Sequence, residues 1–281
     1  MVDSWCTKCR NLRLRGDKLK LTYFQLLSKS PVYIPRVGGI LSPTLQDIAD
    51  IGGTDVYQYY LSMLLMDAEK FLTMQQNSEE FVDIPEDFKT QINIFEKFTE
   101  TKESAILLQN ILNFFIKEDV VFSLNDKLFE VKGNVVVKEN NEMVDKYATI
   151  GIISKENYKD VVNVICQRNN IQTKDLNDPS KTKSKKALAI MEKLKKGREK
   201  MAKTTKADKN MELGNIISAV ANKSPSLNMI NIWDLTVYQL WDCFARLNNL
   251  NVYEINAASV SAWGDKDNKF DFNGWFKKMN D

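Results

Sequence analysis

The sequence predicts an α+β fold that is mainly helical, with small β-hairpin and meander elements, amphipathic helices, a long basic helix and a C-terminal helical module. Apolar residues recur at helical spacing over much of the chain, and a few short runs of valine, isoleucine and phenylalanine between turn residues indicate strands. The 281 residues are 43% hydrophobic and 27% charged, which is ordinary for a globular protein and sufficient for about two domains.

Charge divides the chain into regions. Residues 181–209 hold eleven lysines and one arginine against three acidic residues, whereas the sequence on either side of them is mildly acidic. We therefore expect four regions: a basic N-terminal arm (1–19), an α+β N-terminal domain (20–168), a polar linker with a basic amphipathic helix (169–209), and a C-terminal helical module with an aromatic tail (210–281).

Turn and cap residues place the first elements of the N-terminal domain. Prolines and glycines over residues 31–41 predict a β-hairpin, because proline suits edge positions that donate no ladder hydrogen bond. Ser42 followed by Pro43 predicts the start of a short helix, with the serine as cap and the proline in the first helical position. Thr54 is predicted to cap a longer helix that extends to about Met74.

The remainder of this domain is predicted to contain a central helix and a small sheet. Residues 105–116, which are expected to start at Ser104, are apolar around most of the helix circumference, as is typical of a buried helix. Turn residues at 125–126 and 133–134 predict a β-meander. In chain order we expect a strand or short helix over 19–27, a helix after Pro85, the central helix, strands over 120–124, 127–131 and 134–138, and a helix over 154–168.

The basic segment has one narrow apolar stripe. Ile190, Met191 and Leu194 lie at helical spacing, and the segment contains no aromatic residue. Lysine-rich helices of this kind bind acidic protein surfaces or are solvated, whereas nucleic-acid binding would rest on phosphate contacts alone. We expect the stripe to contact protein, and these three residues are candidate partner-binding residues.

The C-terminal module is predicted to contain one main helix. Asp234 or Thr236 can cap it, and it is expected to extend to about Asn249, with Trp241 and Phe244 on its apolar face. Residues 256–263 have small side chains that can continue the helix.

The tail that follows is polar but carries several aromatic side chains. So few aromatic residues cannot build a core of their own, and we therefore expect them to dock on a surface, either of the same chain or of a partner. The candidate partner-binding residues of the C-terminal module are Trp241, Phe244, Phe272, Trp275 and Phe276.

Composition argues against an enzyme. The chain contains no histidine, which excludes Ser-His-Asp and Cys-His mechanisms and removes the commonest general base. No phosphate-binding loop or dinucleotide fingerprint is present. Cys6 and Cys9 form a CxxC pair, but a structural zinc site usually has a second such pair, and Cys166 and Cys243 are single. We expect free thiols and no catalytic, cofactor or metal site.

The same composition indicates where the chain resides. Four cysteines in 281 residues do not form a disulfide framework, which favours a reducing compartment. No run of about 18 apolar residues predicts a membrane span, and the N-terminus lacks the apolar region of a signal peptide. We expect a protein of the cytoplasm with no membrane partner.

Two stretches, together with the lysine-rich helix, carry a resemblance to a known family. PVYIPRVGGILSPTLQDIADIG, the lysine-rich helix and NIWDLTVYQLWDCFARLN resemble tail assembly chaperones, which phages and prophages of Gram-positive bacteria encode beside the tape measure protein. The resemblance spans about residues 20 to 260. Its matching positions are Ser42, Pro43, Thr44, Asp47, Ile48, Leu235, Thr236, Tyr238, Gln239, Leu240, Asp242, Phe244 and Leu247.

The resemblance implies a non-enzymatic protein that binds the tape measure protein, or another tail protein, in the cytoplasm of the bacterial host during tail morphogenesis. Self-association is compatible with that role. Two alternatives remain. The chain could be a structural component of the tail, neck or baseplate, which would place it in the virion. It could also be an accessory protein that binds nucleic acid through the lysine-rich helix, which the charge pattern disfavours.

Overall fold

The computed structural model describes residues 19–68, 70–71, 92–139, 142–171, 209–265 and 268–278. Over these residues the protein is α+β and mainly helical with small antiparallel sheets, which confirms the predicted class. The chain divides into two compact units. The first comprises Met1–Ile171 and Asp234–Gln239, and the second comprises Gln172–Trp233 and Leu240–Asp281.

The elements up to residue 171 belong to the first unit. They are α1 (Tyr23–Leu27), β1 (Val32–Ile34), β2 (Gly38–Ile40), α2 (Leu45–Asp50), α3 (Thr54–Leu64), α4 (Ile94–Phe98), α5 (Lys102–Phe115), β3 (Asp119–Ser123), β4 (Leu128–Glu139), β5 (Glu142–Ile153) and α6 (Tyr158–Arg168). The later elements are a 3-10 turn (Lys209–Met211), α7 (Leu213–Lys223), a 3-10 turn (Ile232–Asp234), α8 (Val237–Trp263) and a 3-10 turn (Gly274–Phe276).

The predicted hairpin is confirmed, and the predicted cap of α2 is wrong. β1 and β2 pair antiparallel, with Tyr33 opposite Gly39. Thr44 caps α2: its hydroxyl accepts from the Asp47 amide at 3.1 Å, and the Asp47 carboxylate accepts from the Thr44 amide at 2.7 Å. Ser42 is instead buried, and its hydroxyl donates to the Arg168 carbonyl at 2.9 Å. Because this bond engages the hydroxyl in the core, it does not cap the helix.

Three helix boundaries also differ from the prediction. Thr54 is the first residue of α3 rather than its cap, and Gly53 precedes it at a φ of 89°. The helix ends at Leu64, about ten residues before the predicted end. α5 begins at Lys102, where Thr101 caps it, so that Ser104 lies within the first turn.

The central position of α5 is confirmed. One stripe of this helix is completely buried, as the apolar pattern predicts, and the neighbouring sheet packs through Val120, Phe129 and Val131, which are also buried. The buried residues of the helix are Ala105, Leu108, Ile111, Leu112 and Phe115.

The three-stranded sheet differs from the predicted meander. β4 is one strand of 12 residues that covers both the second and third predicted strands, and Gly133-Asn134 lies inside it rather than in a turn. β5 was not predicted; it pairs with β4 from Phe129↔Ile153 to Glu139↔Glu142. Glycine fits within β4 because a Cβ on Gly133 would lie 3.2 Å from the side chain of Ile150.

α6 brings buried polar groups into the core. Its predicted apolar face, including Val161, Ile165 and Cys166, is buried as expected, but the helix begins at Tyr158 after Asn157 rather than at Ser154. Arg168 is completely buried, and its guanidinium donates to the carbonyls of Gln25 at 2.9 Å and Ser28 at 3.0 Å at the end of α1.

Burial of Cys166 predicts a loss of stability at alkaline pH. Burial raises the pKa of its thiol to about 11 from 9.0. The unfolded chain therefore loses this proton first, and the free energy of unfolding falls as pH rises from about 9 towards 11. When the pH rises from 8 to 10, the free energy of unfolding of the wild-type chain should fall by about 1 kcal/mol more than that of Cys166→Ala. Denaturant unfolding at the two pH values measures this difference.

The comparison with Cys166→Ala measures the thiol together with its coupling to two tyrosines. Burial, and next the charge of Cys166, raise the pKa of Tyr57 and of Tyr158, and burial lowers the pKa of Arg168 to about 10. These three groups are present in both chains, so the part of their effects that comes from burial cancels. Equal slopes of stability against pH in the two chains would contradict the prediction.

A short segment of the C-terminal sequence belongs to the first unit. Thr236 forms an antiparallel bridge with Thr44, so that the two stretches carrying the family resemblance meet at this point. Thr236 also caps α8 together with Gln239, as α2 is capped by Thr44 and Asp47. The connecting hydrogen bonds are Leu45 N–H to the Leu235 carbonyl (2.9 Å), Val237 N–H to the Pro43 carbonyl (3.2 Å) and Gln239 Nε2 to the Leu27 carbonyl (2.8 Å).

In the second unit the sequence underestimates α8. α7 ends at Lys223, directly before Ser224-Pro225. α8 continues without interruption to Trp263, well beyond Asn249, because small side chains at residues 256–263 maintain the helix. Gly264 then takes a φ of 76°, a left-handed conformation that commonly ends helices.

Candidate partner-binding site

A polar stripe on α8 holds the tail. Arg246, Asn249 and Tyr253 are spaced by three and four residues and therefore lie on one face of the helix. Each donates to main-chain carbonyls of the tail. The bonds are Arg246 to Lys277 (2.9 Å), Asn249 to Gly274 (2.9 Å) and to Trp275 (3.2 Å), and Tyr253 to Phe272 (3.2 Å).

Aspartates within the tail fix its local shape. The Asp265 carboxylate accepts from the amides of Lys269 at 3.0 Å and Phe270 at 2.8 Å. The Asp271 carboxylate accepts from the amide of Asn273 at 3.0 Å, immediately before the 3-10 turn. Such bonds are typical of turns built by aspartate. The tail backbone is therefore held both from within and from α8.

The aromatic side chains divide into one anchor and three exposed rings. Phe270 is half-buried and packs on Tyr253, with ring centroids 5.4 Å apart. Phe272 is 73% exposed, Trp275 54% and Phe276 53%. The rings of Trp275 and Phe276 lie 4.9 Å apart, edge to face. These three exposed rings and the tail backbone that carries them form what we call the aromatic platform.

α8 adds one apolar side chain beside the tail. Val252 is exposed and lines the cleft between the helix and the tail, whereas Ile255 and Trp263 are exposed elsewhere on the second half of the helix. A cleft of about 470 Å³ lies between the helix and the tail, and Asn256, Ser259, Asp265 and other polar side chains line much of it. The surface can bind apolar protein side chains at its aromatic rings, with polar groups at its edge, as is typical of protein interfaces.

The predicted site residues are placed in three ways. Phe272, Trp275 and Phe276 lie together on the surface. Trp241 and Phe244 are half-buried on α8, with their rings 6.0 Å apart, and lie apart from the exposed rings along the helix. Ile190, Met191 and Leu194, like Cys6 and Cys9, lie outside the described residues.

The residues that position the tail are not among the predicted site residues. Arg246, Asn249 and Tyr253 form a polar stripe at spacing i, i+3 and i+7 on an otherwise mixed helix, and this stripe was the available signal. It could not be interpreted from the sequence, because main-chain carbonyls of a tail some 25 residues downstream are its partners.

The described parts of the chain lack the features of a metal site and of a membrane-spanning helix. In these parts no group of three or more Cys, Asp or Glu side chains could hold a metal ion. No described helix is long and apolar enough to cross a membrane. Burial, and next the neighbouring Asp242, raise the pKa of the Cys243 thiol, which keeps it protonated and unreactive at neutral pH.

A cleft of about 670 Å³ lies in the first unit. Its rim carries both signs of charge, including the ion pairs Lys155–Glu96 at 3.3 Å and Lys97–Glu100 at 2.9 Å. A side-chain hydrogen bond from Lys97, followed by the charge of that lysine, lowers the pKa of Glu100. Exposed ion pairs of this kind are common on protein surfaces and do not indicate a reaction.

Comparison with known proteins gives one match. The model of the family described as YomV second domain matches residues 203–280, which include α7, α8 and the aromatic platform. Searches of the curated proteins and of the solved structures returned no match. The match relates the C-terminal part of this chain to a phage-type protein family.

Proposed function

We propose that this chain is a non-enzymatic phage tail assembly chaperone that binds the tape measure protein in the cytoplasm of the bacterial host. The aromatic platform carries the proposal. It lies within the residues that match a phage-type family, and it presents three aromatic rings on a backbone that α8 already holds. The resemblance to tail assembly chaperones supplies the identity of the partner.

The tail backbone is already ordered by α8, which lowers the entropic cost of binding a partner. Aromatic side chains dominate the free energy of many protein interfaces, and about 2 kcal/mol or more is lost when one is truncated at the interface centre. Binding is opposed by the entropy of ordering flexible segments. Because four hydrogen bonds from α8 already fix the tail backbone, the aromatic platform can bind an apolar helix at a small ordering cost.

The proposed absence of catalysis rests on composition. A chain without histidine lacks the side chain that most often transfers protons near neutral pH. A chaperone of a hydrophobic partner needs exposed apolar side chains and helix-in-groove contacts instead. Val252, which lies beside the tail, provides such a side chain, and Ile255 and Trp263 are also exposed on α8.

Replacing Phe272, Trp275 and Phe276 together by serine tests the proposal. We expect the affinity for the co-expressed tape measure protein to fall at least about a hundredfold, because three exposed aromatic contacts are lost. The full-length chain should retain its circular dichroism spectrum, since these side chains are mainly exposed. Co-purification and a binding titration with the tape measure protein measure the effect.

Phe24→Ser is the matched control. Phe24 is an aromatic residue of the first unit that is even more exposed, so its replacement changes surface hydrophobicity without touching the aromatic platform. It should leave the affinity unchanged. Equal affinity of the wild-type chain and the triple variant, or equal losses in the triple variant and Phe24→Ser, would contradict the proposal.

The alternative of a structural tail, neck or baseplate component is favoured by one observation: among the residues that the structure describes, no backbone group outside β5 bonds to residues 134–138 of β4, which leaves an edge for another strand. Mass spectrometry of purified particles separates the two functions. A chaperone is expected to be absent from mature virions, whereas a structural component is expected at fixed stoichiometry.

A further inference from the structure

The outer edge of β3 is covered by side chains of α5. The Asn113 side chain accepts from the Val120 amide at 2.7 Å and donates to the Val120 carbonyl at 2.9 Å. The side-chain oxygen of Gln109 (Oε1) accepts from the Phe122 amide at 2.7 Å. Edge strands with unpaired amides and carbonyls bind other strands, and folded proteins cover them in such ways.

The C-terminal end of β5 is covered by the turn of the β1–β2 hairpin. The amide of Ile152 donates to the Arg36 carbonyl at 2.8 Å. Gly151 lets the two backbones approach, since a Cβ there would lie 2.6 Å from the Val37 carbonyl oxygen. Both protected edges therefore involve specific side chains or a specific glycine.

Beyond Lys132 the sheet is reduced to a two-stranded ribbon. β3 pairs with β4 only as far as Asp119↔Lys132, whereas β4 and β5 continue to Glu139↔Glu142. Glu118 lies beside Gly133, so the uncovered edge of β4 starts at the next residue. We call residues 134–138 the open edge of β4. Within the described parts of the chain, no backbone group outside β5 bonds to these residues.

The two edges of the ribbon, one on β4 and one on β5, differ in how well they are protected from pairing with another strand. The corresponding side of β5 carries Asp145 and Lys146, both exposed, and charges of this kind are a common protection of edge strands. The open edge of β4 has no charge before Lys138 and no proline. Its centre, Val136, is 55% exposed. Two-stranded ribbons are only marginally stable in water, so a further strand would stabilise this one.

We propose that the open edge of β4 pairs antiparallel with the same edge of a second copy of the chain, about a two-fold axis at Val136. A two-fold axis in an antiparallel pair sets a residue opposite its own copy, so Val136 faces Val136 of the second copy. Val135 then lies opposite position 137, and Asn134 opposite position 138. Five residue pairs form one continuous sheet across the two copies.

Charge permits self-pairing at the centre of this edge and opposes it at the centre of the β5 edge. In the register about Val136, the single charged residue, Lys138, lies opposite the neutral Asn134, and no like charges meet. On β5 an axis at Asp145 would set two aspartates opposite each other, and an axis at Lys146 would set two lysines opposite each other. Directly opposed like charges destabilise a strand pair. The pairing is short, so we expect a weak dimer that dissociates on dilution.

The test introduces a charged side chain at position 136, on the proposed two-fold axis, in the full-length chain. Val136→Lys sets two lysines opposite each other, and Val136→Glu sets two glutamates opposite each other. Each variant alone should raise the dimer dissociation constant at least about tenfold in sedimentation equilibrium. An equimolar mixture of the two variants sets lysine opposite glutamate and should restore dimers. Restoration in the mixture distinguishes pairing at this axis from a general effect on folding.

Val121→Lys is the control, because Val121 is an exposed valine of β3, whose edge α5 already covers. It should leave the dissociation constant unchanged. The proposal is overturned if the wild-type chain remains a monomer at high concentration. It is also overturned if Val136→Lys dimerises as the wild type does, or if the mixture of charged variants stays monomeric.

Discussion

A single methyl group at position 151 should lower the free energy of unfolding by about 3 kcal/mol, at the upper end of overpacking effects. In Gly151→Ala the new Cβ would lie 2.6 Å from the Val37 carbonyl oxygen and 2.7 Å from that of Arg36. Both are backbone atoms, which cannot rotate away as a side chain can. The hairpin turn must separate from β5, and the bond from the Ile152 amide to Arg36 is lost with it.

Gly133→Ala provides the comparison within the same sheet. Its Cβ would meet only side-chain atoms, at 3.2 Å for Ile150 and 3.3 Å for Glu118, and both side chains can move. We expect a loss of at most about 1 kcal/mol there. Urea unfolding of the wild-type chain, Gly151→Ala and Gly133→Ala measures the two losses of stability. Equal stability of the two variants would show that the approach of the hairpin to β5 is not a tight constraint.

Arg168→Ala should lower the free energy of unfolding by about 4 kcal/mol, because it leaves two half-buried carbonyls without donors and opens a cavity where the arginine side chain is completely buried. The guanidinium donates to Gln25 and Ser28, and burial lowers its pKa to about 10, so that it remains protonated at neutral pH. Arg168→Lys should recover part of the loss, since a single ammonium cannot reproduce the two-carbonyl geometry of the planar fork.

Lys159→Ala on the same helix serves as the control for Arg168. Lys159 is exposed on α6, and its truncation should change stability by at most about 0.5 kcal/mol. Thermal and urea unfolding of the three variants measure the difference. If Arg168→Ala is as stable as Lys159→Ala, the buried guanidinium contributes nothing to holding α1 on α6.

Local signals predicted the parts of the fold that local physics decides. The glycines and prolines over residues 31–41 predicted the hairpin, and the apolar pattern of residues 105–116 predicted the buried helix, because turn geometry and helical periodicity depend on neighbours in sequence. The cap of α2 was misplaced by two residues. Ser42 has the right chemistry for a cap, but a long-range bond to Arg168 engages its hydroxyl.

Long-range contacts decided the rest of the fold. Gly133-Asn134 resembles a turn, yet it lies within β4 because β5 pairs along its whole length and Glu118 lies against the glycine. Arg168 at the end of a helix suggests a solvated charge. Its burial depends on carbonyls 140 and 143 residues earlier in the chain, at the end of α1.

The candidate site was predictable in its aromatic residues and not in its support. Too few aromatic residues for a core indicated docking, and Phe272, Trp275 and Phe276 do share one exposed surface. Arg246, Asn249 and Tyr253 gave no recognisable signal, because main-chain carbonyls, which every residue has, are their partners. Side chains that bind backbone leave no complementary residue type to look for in the sequence.

The return of Asp234–Gln239 to the first unit sets a time order for folding during synthesis. The 68 residues from 172 to 239 take about 3 to 14 s to synthesise at 5–20 residues per second. Until they have left the ribosome, the Leu45 amide and the Pro43 and Leu27 carbonyls lack the partners that the finished chain gives them. Most of the first unit is therefore synthesised early, but its hydrogen bonds to residues 235–239 form only late. A chain truncated before residue 234 would lack these partners for the three backbone groups.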